Sequence, residues 1–274
     1  MMSPSSLAPF IAGAAMYPIA IGAPPQQHSV SEQSANESLI KQYDRSAVYD
    51  ALYSRGYQVH SLNFSLSGPL IDFISTQPSV ASVLDVGCSH GFAVSRLWSL
   101  GLKASGIDMS NVAVALAREI RGNGSEARCI LPREGHPRSC FQQGSAASLP
   151  WPDRSFDITM SSDVLEHVPP MLVDVAVAEM SRVTRKLLVL KISNRLERQT
   201  KQFLAIQQLP NLTTPKALHE SVANSSWWIA KFDKHGFVLK TKLPTSKRLC
   251  CAFVLAAKAS HPGFLLPRAH QRHL

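Results

Sequence analysis

The sequence is poor in charge, poor in acids and without patterned cysteine. Charged residues make up only 17% of the 274-residue chain, and 19 acids stand against 28 Lys and Arg, for a net charge of +9. A basic balance favours acidic partners such as phosphates, nucleic acid or anionic membrane surfaces, although basic tails and loops produce the same number. The 5 cysteines, Cys88, Cys129, Cys140, Cys250 and Cys251, are an odd set without metal-ligand spacing. That pattern argues against a disulfide scaffold and against a zinc site, and it suits a reducing, cytoplasmic setting. Neither a metal nor a membrane span is expected. The one uncharged apolar stretch near the start, Leu7 to Ala23, is broken by Pro18 and is short for a spanning helix. It has the texture of a signal or organelle-targeting segment at residues 1–23, but no Lys or Arg precedes it, so an untargeted leader stays open beside that reading. No internal repeat is apparent.

What is present is a core. Hydrophobic residues make up 45% of the chain, enough for one large domain with additions at about 150 residues per domain. Residues 1–36 read as leader and linker, with the Pro/Ser/Gln-rich "PPQQHSVSEQSAN" at 24–36. Residues 37–79 read as a helical cap: Leu39, Ile40, Tyr43, Val48, Leu52 and Tyr53 recur near a 3.6 period, and "GPLIDFIS" from Gly68 forms a second helix. Residues 80–258 alternate strand and helix. The strand candidates are Val80 to Val86, Lys103 to Asp108, Cys140 to Gln143, Phe156 to Ser161 and Lys186 to Ile192. Helices are expected from Phe92, from Asn111 after a Ser110 cap, and from about Met171 to Val183. Such alternation predicts a doubly wound α/β sheet. "FVLKTKL" and "LCCAFVLAA" at the end lie too close for a crossover, so they must pair antiparallel. The fold class is therefore α/β: a Rossmann-like seven-stranded sheet with an antiparallel last strand and helices on both faces. Residues 259–274 read as a disordered tail, and residues 192–226 as an insertion after the fifth strand.

In such sheets ligands bind beyond the carboxyl ends of the strands, near the switch in strand order. "VLDVGCSHGF" places Asp85 at the end of the first strand and then opens a helix through a turn containing Gly87 and Gly91. Asp108 ends the second strand about 20 positions later, the offset at which an acid reaches ribose hydroxyls.

"VLDVGCSHG", "GIDMS" and "GSAASLPWPDRSFDITMSSDVLEHV" (Gly144 to Val168) together resemble the motifs of class I S-adenosylmethionine-dependent methyltransferases. The resemblance covers about Val80 to Lys258, and the closing antiparallel pair separates it from dinucleotide dehydrogenases. It implies S-adenosylmethionine as cofactor and methyl transfer to an acceptor. It further implies that Asp85 holds the loop and the amino-acid end of the cofactor, with the backbone of Gly87, Cys88 and Ser89 beside the methionine moiety. Asp108 would take both ribose hydroxyls, Met109 would pack on the adenine, and Ser145 and Ala146 would border its edge. Ser162 and Asp163 would face the transferred methyl. Two positions depart from the pattern: Ser89 stands where the middle glycine is usual, and Ser145 where an acid often binds the adenine amino group.

The candidate bases are His219, in the insertion that often forms a substrate lid, and His167 in "LEHV", which the family more often uses to support a turn. Glu166 beside it reads the same way, His90 as a local hydrogen-bonding residue, and His60 as part of the covering segment. Arg195, Arg198 and Lys201 follow the fifth strand's carboxyl end and suit a phosphate or carboxylate on the substrate. Trp227, Trp228 and Phe232 have the spacing of a core anchor. The acceptor is expected to be a small or medium-sized molecule, anionic or sugar-linked. An RNA or protein acceptor is the second reading, disfavoured because no aromatics interleave the basic residues from Arg182 to Lys201. A non-catalytic cofactor-binding or scaffold protein is the third.

Overall fold

The computed structural model describes residues 30–58, 67–196, 200–244 and 251–259. The apolar leader, the tail, His60, Arg198 and Cys250 lie outside the described residues.

Seven strands form one sheet: β1 (Ser82–Val86), β2 (Lys103–Asp108), β3 (Phe141–Gln143), β4 (Phe156–Ser162), β5 (Thr184–Lys191), β6 (Phe237–Lys242) and β7 (Ala252–Ala257). Their spatial order is β3-β2-β1-β4-β5-β7-β6. The first five run parallel, and β7 runs antiparallel to both β5 and β6. The short link at the end of the chain leaves no room for a crossover, which dictates the antiparallel pair.

Residues of alternate parity on each central strand feed two separate cores, as expected of strands buried on both faces. Leu84, Val86, Leu188, Leu190, Phe253 and Leu255 point to one side. There they meet α6 (Val173–Val183) and α8 (Ser225–Asp233) through Val177, Met180, Trp228 and Phe232. Val83, Ile158, Met160, Leu187, Val189 and Val254 point to the other side. They pack on α3 (Gly68–Ser75), α4 (Phe92–Ser99) and α5 (Asn111–Arg121). Ser110 caps α5 by accepting a hydrogen bond from the Ala113 amide at 3.1 Å. Trp228 and Phe232 are fully buried, as a core anchor requires.

Two further clusters attach a roof. In one, Val48, Tyr49 and Leu52 of α2 (Ser46–Tyr53) pack on Phe203 and Ile206 of α7 (Lys201–Gln207) and on Leu218. In the other, Leu39, Ile40 and Tyr43 of α1 (Val30–Gln42) pack around Ala147, Leu172 and Ala176. Because α1 begins at Val30, the second half of the polar segment read as a linker is helical. Its poor apolar periodicity before Leu39 concealed it.

The cysteine reading needs correction. Cys129 and Cys140 form a disulfide, with Cα atoms 5.6 Å apart. The loop after α5 folds back along the sheet edge, where the Ala104 amide bonds the Arg128 carbonyl and the Cys140 amide bonds the Asn123 carbonyl. That edge pairing, which spacing alone does not reveal, brings the two sulfurs together. Disulfides persist in oxidising compartments, so cysteine usage no longer argues for a reducing one. No described helix is long and apolar enough to cross a membrane.

Candidate functional site

A deep cavity opens beyond the carboxyl ends of β1, β2 and β4, where the chain order reverses between β1 and its neighbours. Its floor contains Asp85, Gly87, Cys88, Ser89, Asp108, Met109, Ser145, Ala146, Ser162 and Asp163, ten of the residues expected there from sequence. Gly91 is not on the wall. It is the N-cap of α4, at φ 70, and a Cβ there would press into the Phe141 ring. Gly87 has φ 79, and a Cβ would come within 2.2 Å of Val164. The loop bends back on β2, the Gly87 and Cys88 amides both donating to the Ile107 carbonyl at 2.8 and 3.0 Å.

Ser89, the position of the absent glycine, adopts φ 49, in the left-handed region. A side chain other than glycine is uncommon there and mildly strained. Two interactions hold it: its amide donates to Asp108 Oδ2 at 2.9 Å, and its Oγ lies 3.2 Å from His90 Nδ1. The turn is therefore built as a glycine turn would be, with a hydroxyl added.

Asp108 Oδ1 accepts from the Ser110 amide at 2.9 Å. Each carboxylate oxygen thus takes one backbone donor and retains a lone pair, the arrangement two ribose hydroxyls require. Burial pushes the Asp108 carboxyl up to about 6 against the backbone bonds that lower it. Burial, then the neighbouring Asp108 charge, pushes Asp85 up to about 7. Asp50 adds to the rise at Asp108, as Asp108 does at Asp85, and carboxyls crowded in this way favour a cationic ligand; a cofactor carrying a sulfonium and an ammonium fits that field.

The N-terminal segment was expected to fold over the site, but apart from His60 the residues it contributes were not. Tyr43, Asp44, Tyr49, Tyr53 and Tyr57 of the cap segment face the cavity with Ile40 and Gln58. Asp50 fastens α2 to the start of α5, accepting from Ser110 Oγ at 2.6 Å and from the Val112 amide at 3.1 Å. Arg45 grips Glu220 through two hydrogen bonds of 2.9 and 3.0 Å, linking the cap to the insertion. The helical period of Tyr43 and Tyr53 read as core packing.

Of the two candidate bases, His167 lies on the cavity wall and His219 does not. His167 Nδ1 is 3.0 Å from the Leu218 carbonyl and 2.9 Å from the Tyr49 hydroxyl. Burial, then the neighbouring His219, lowers its pKa to about 3, so it is a neutral imidazole. The His219 ring stands edge-on to it at 4.6 Å, with Nδ1 2.7 Å from the Arg195 carbonyl. Glu166, fully buried, approaches both rings: one donor atom from each of the three residues lies within 4.8 Å of the others. No metal was expected from the sequence, yet this group has donor chemistry for one.

Among the described residues, the expected basic grip does not form at the cavity. Arg195 and Lys201 are exposed and absent from the wall, because the chain after β5 turns outward before α7. Arg182 is committed to Glu179 and Asp153, and Arg185 and Lys186 flank Asp157. Lys191 is buried and paired with Asp163. The run that looked like one basic face is divided among three ion-pair arrangements and exposed positions away from the cavity.

A Rossmann-like sheet ending in an antiparallel strand, with a glycine turn and two carboxylates at the strand switch, defines a class I S-adenosylmethionine-dependent methyltransferase fold. Residues 84–188 match the family model described as a methyltransferase domain. Three solved structures illustrate the likeness. A TehB-like S-adenosylmethionine-dependent methyltransferase from Corynebacterium glutamicum superposes with a TM-score of 0.52 at 12% identity, over 77% of this chain and 100% of that one. Phosphoethanolamine N-methyltransferase 2 from Haemonchus contortus, in complex with S-adenosyl-L-methionine, gives 0.50 at 16%, over 72% of this chain but only 44% of that one. Magnesium protoporphyrin IX methyltransferase from Synechocystis gives 0.49 at 18%, over 81% and 99%. No curated protein sequence matches the chain significantly. Residues 84–188 therefore match a methyltransferase domain, and the solved structures share its fold.

Proposed function

We propose that this methyltransferase acts on a small molecule that is uncharged or cationic and has an aromatic or otherwise apolar body. One observation carries the reading. Past the floor assigned to the cofactor, the wall includes Tyr43, Tyr49, Tyr57, Ile40, Pro169 and Leu172, and no Lys or Arg is among its described residues. Tyrosine faces suit a flat or apolar ligand and their hydroxyls orient it. An anionic acceptor, expected from Arg195, Arg198 and Lys201, would meet Asp44 rather than a cation on the described wall. A polymer would need an open groove, whereas α1 and α2 cover this cavity.

When bound, the cofactor supplies a methyl group already activated on its sulfonium. The chain's part is to fix Asp108 on the ribose and Asp85 near the amino-acid end, to align the acceptor, and to keep water out beneath the cap.

The test has two arms. Calorimetry should find one S-adenosylmethionine bound per chain. A folded protein that binds none would favour the scaffold reading. Methyl-labelled cofactor is then incubated with the protein and cell extract split into nucleic acid, protein and small molecules. Label should enter the low-mass fraction that an anion exchanger does not retain. Label in RNA, protein or anionic metabolites would refute the acceptor class.

A further inference from the structure

We propose that Glu166, His167 and His219 form a binding site for a zinc-type divalent cation, independent of which acceptor is methylated. The three ligands come from two segments: the one-turn helix Leu165–His167 after β4, and the insertion ahead of α8. One donor atom from each lies within 4.8 Å of the others. Metal–ligand bonds of about 2.1 Å need ligand atoms about 3–4 Å apart, so the group closes on an ion with movements of an ångström or less.

The hydrogen bonds around the cluster prepare it. The Leu218 and Arg195 carbonyls accept from Nδ1 of His167 and His219. A carbonyl can only accept, so both rings are held as Nδ1–H tautomers and keep the Nε2 lone pair for another partner. Backbone carbonyls behind ligating imidazoles do this in metal sites generally. Glu166 completes the set. Its side chain is 0% exposed, Oε1 accepts from the Ser193 amide at 3.0 Å, and Oε2 is buried without a hydrogen-bond partner. A buried carboxylate oxygen left unpaired beside two imidazoles is costly unless something cationic meets it.

Two imidazole nitrogens and one carboxylate favour a first-row ion such as zinc over magnesium or calcium, which prefer all-oxygen sets. Three protein ligands leave a fourth position for water or another donor. His167 is also part of the cavity wall, so the ion sits between the acceptor chamber and the insertion. Holding His219 against the β4 turn, it reinforces the clamp that Arg45 and Glu220 make on the same segment.

The experiment uses the full chain stripped with a chelator, without S-adenosylmethionine, so its outcome does not depend on methyl transfer. Zinc is titrated against a chromophoric chelator, and cobalt substitution is followed by absorption. One zinc per chain should bind, and the cobalt form should lack a thiolate charge-transfer band. His219→Ala should weaken zinc at least tenfold, with its circular dichroism and unfolding temperature unchanged when metal-free. Glu166→Gln should weaken it comparably, while His136→Ala, an exposed histidine away from the cluster, should not. Zinc binding unchanged in His219→Ala, or absent from the wild type, overturns the proposal.

Discussion

Replacing Asp85 with Asn should stabilise the cofactor-free protein at pH 8 and do little at pH 5. Asp85 is 4% exposed at the end of β1, and burial, reinforced by Asp108, raises its pKa from the ordinary 3.8 to about 7. A carboxyl raised in the folded state contributes full stability below pH 3.8, loses it as the pH climbs, and has lost it once the pH passes 7. At about 1.4 kcal/mol per pKa unit, the ionised group costs the folded chain about 4 kcal/mol at pH 8. Asparagine removes that charge but buries an amide, which costs about 1–3 kcal/mol where its bonds are incomplete. The net gain is about 2 kcal/mol, or about 5 °C in Tm for a domain of this size. At pH 5 only the unfolded chain is ionised at this position, the wild type has lost only about 1.6 kcal/mol, and the amide's cost offsets it, so the gain vanishes. Differential scanning calorimetry of both proteins at the two pH values reads the difference. With Asp85 in its proposed place beside the amino-acid end of the cofactor, the variant should also bind S-adenosylmethionine more weakly. Binding to the wild type near pH 7 should release protons, measurable as a buffer-dependent enthalpy. A Tm gain equal at both pH values, or a loss at pH 8, would refute the claim that the buried charge is held for a cation.

Gly87→Ala should abolish cofactor binding and cost about 1–3 kcal/mol, because φ 79 is strained for alanine and the Cβ would strike Val164. Adding Val164→Ala should restore part of the stability, since it relieves the clash but not the backbone, and full restoration would assign the whole effect to sterics. Ser89→Gly should retain cofactor binding and change stability by less than about 1 kcal/mol, the relief at φ 49 offset by the more flexible unfolded chain. A loss of binding would show the hydroxyl to be needed. Arg45→Ala should cost about 1–2 kcal/mol locally and speed hydrogen exchange in both 46–53 and 212–220, because the pair with Glu220 joins those segments. Exchange altered in only one segment would argue against a shared clamp. Peptide mapping without reductant should recover Cys129 linked to Cys140, and alkylation of both as free thiols would contradict the bond.

The parts readable from the sequence were those whose physics is local. A strand buried on both faces appears as an apolar run such as "SVLDV", a cap as Ser110 ahead of α5, and a forced antiparallel pair as two strands with a short link. The floor of the site followed because the strand ends, the glycine turn and the Asp108 offset all sit within one continuous stretch. What escaped is whatever depends on segments far apart in the chain meeting. Tyr49 faces the cavity only because Asp50 bonds the start of α5, sixty residues on. Cys129 and Cys140 meet only because a loop lies along the sheet edge. The basic run misled for the same reason. Its residues sit close in sequence, but α6, β5 and the chain beyond them carry Arg182, Lys191 and Arg195 to different faces, where Asp153 and Asp163, both distant in sequence from their partners, take up the first two. The acceptor therefore cannot be argued from the charge of the chain. The wall of the cavity beyond its floor is contributed largely by the cap, and the cap supplies tyrosines where the sequence offered arginines, so the net positive charge of the composition does not describe the surface an acceptor would meet.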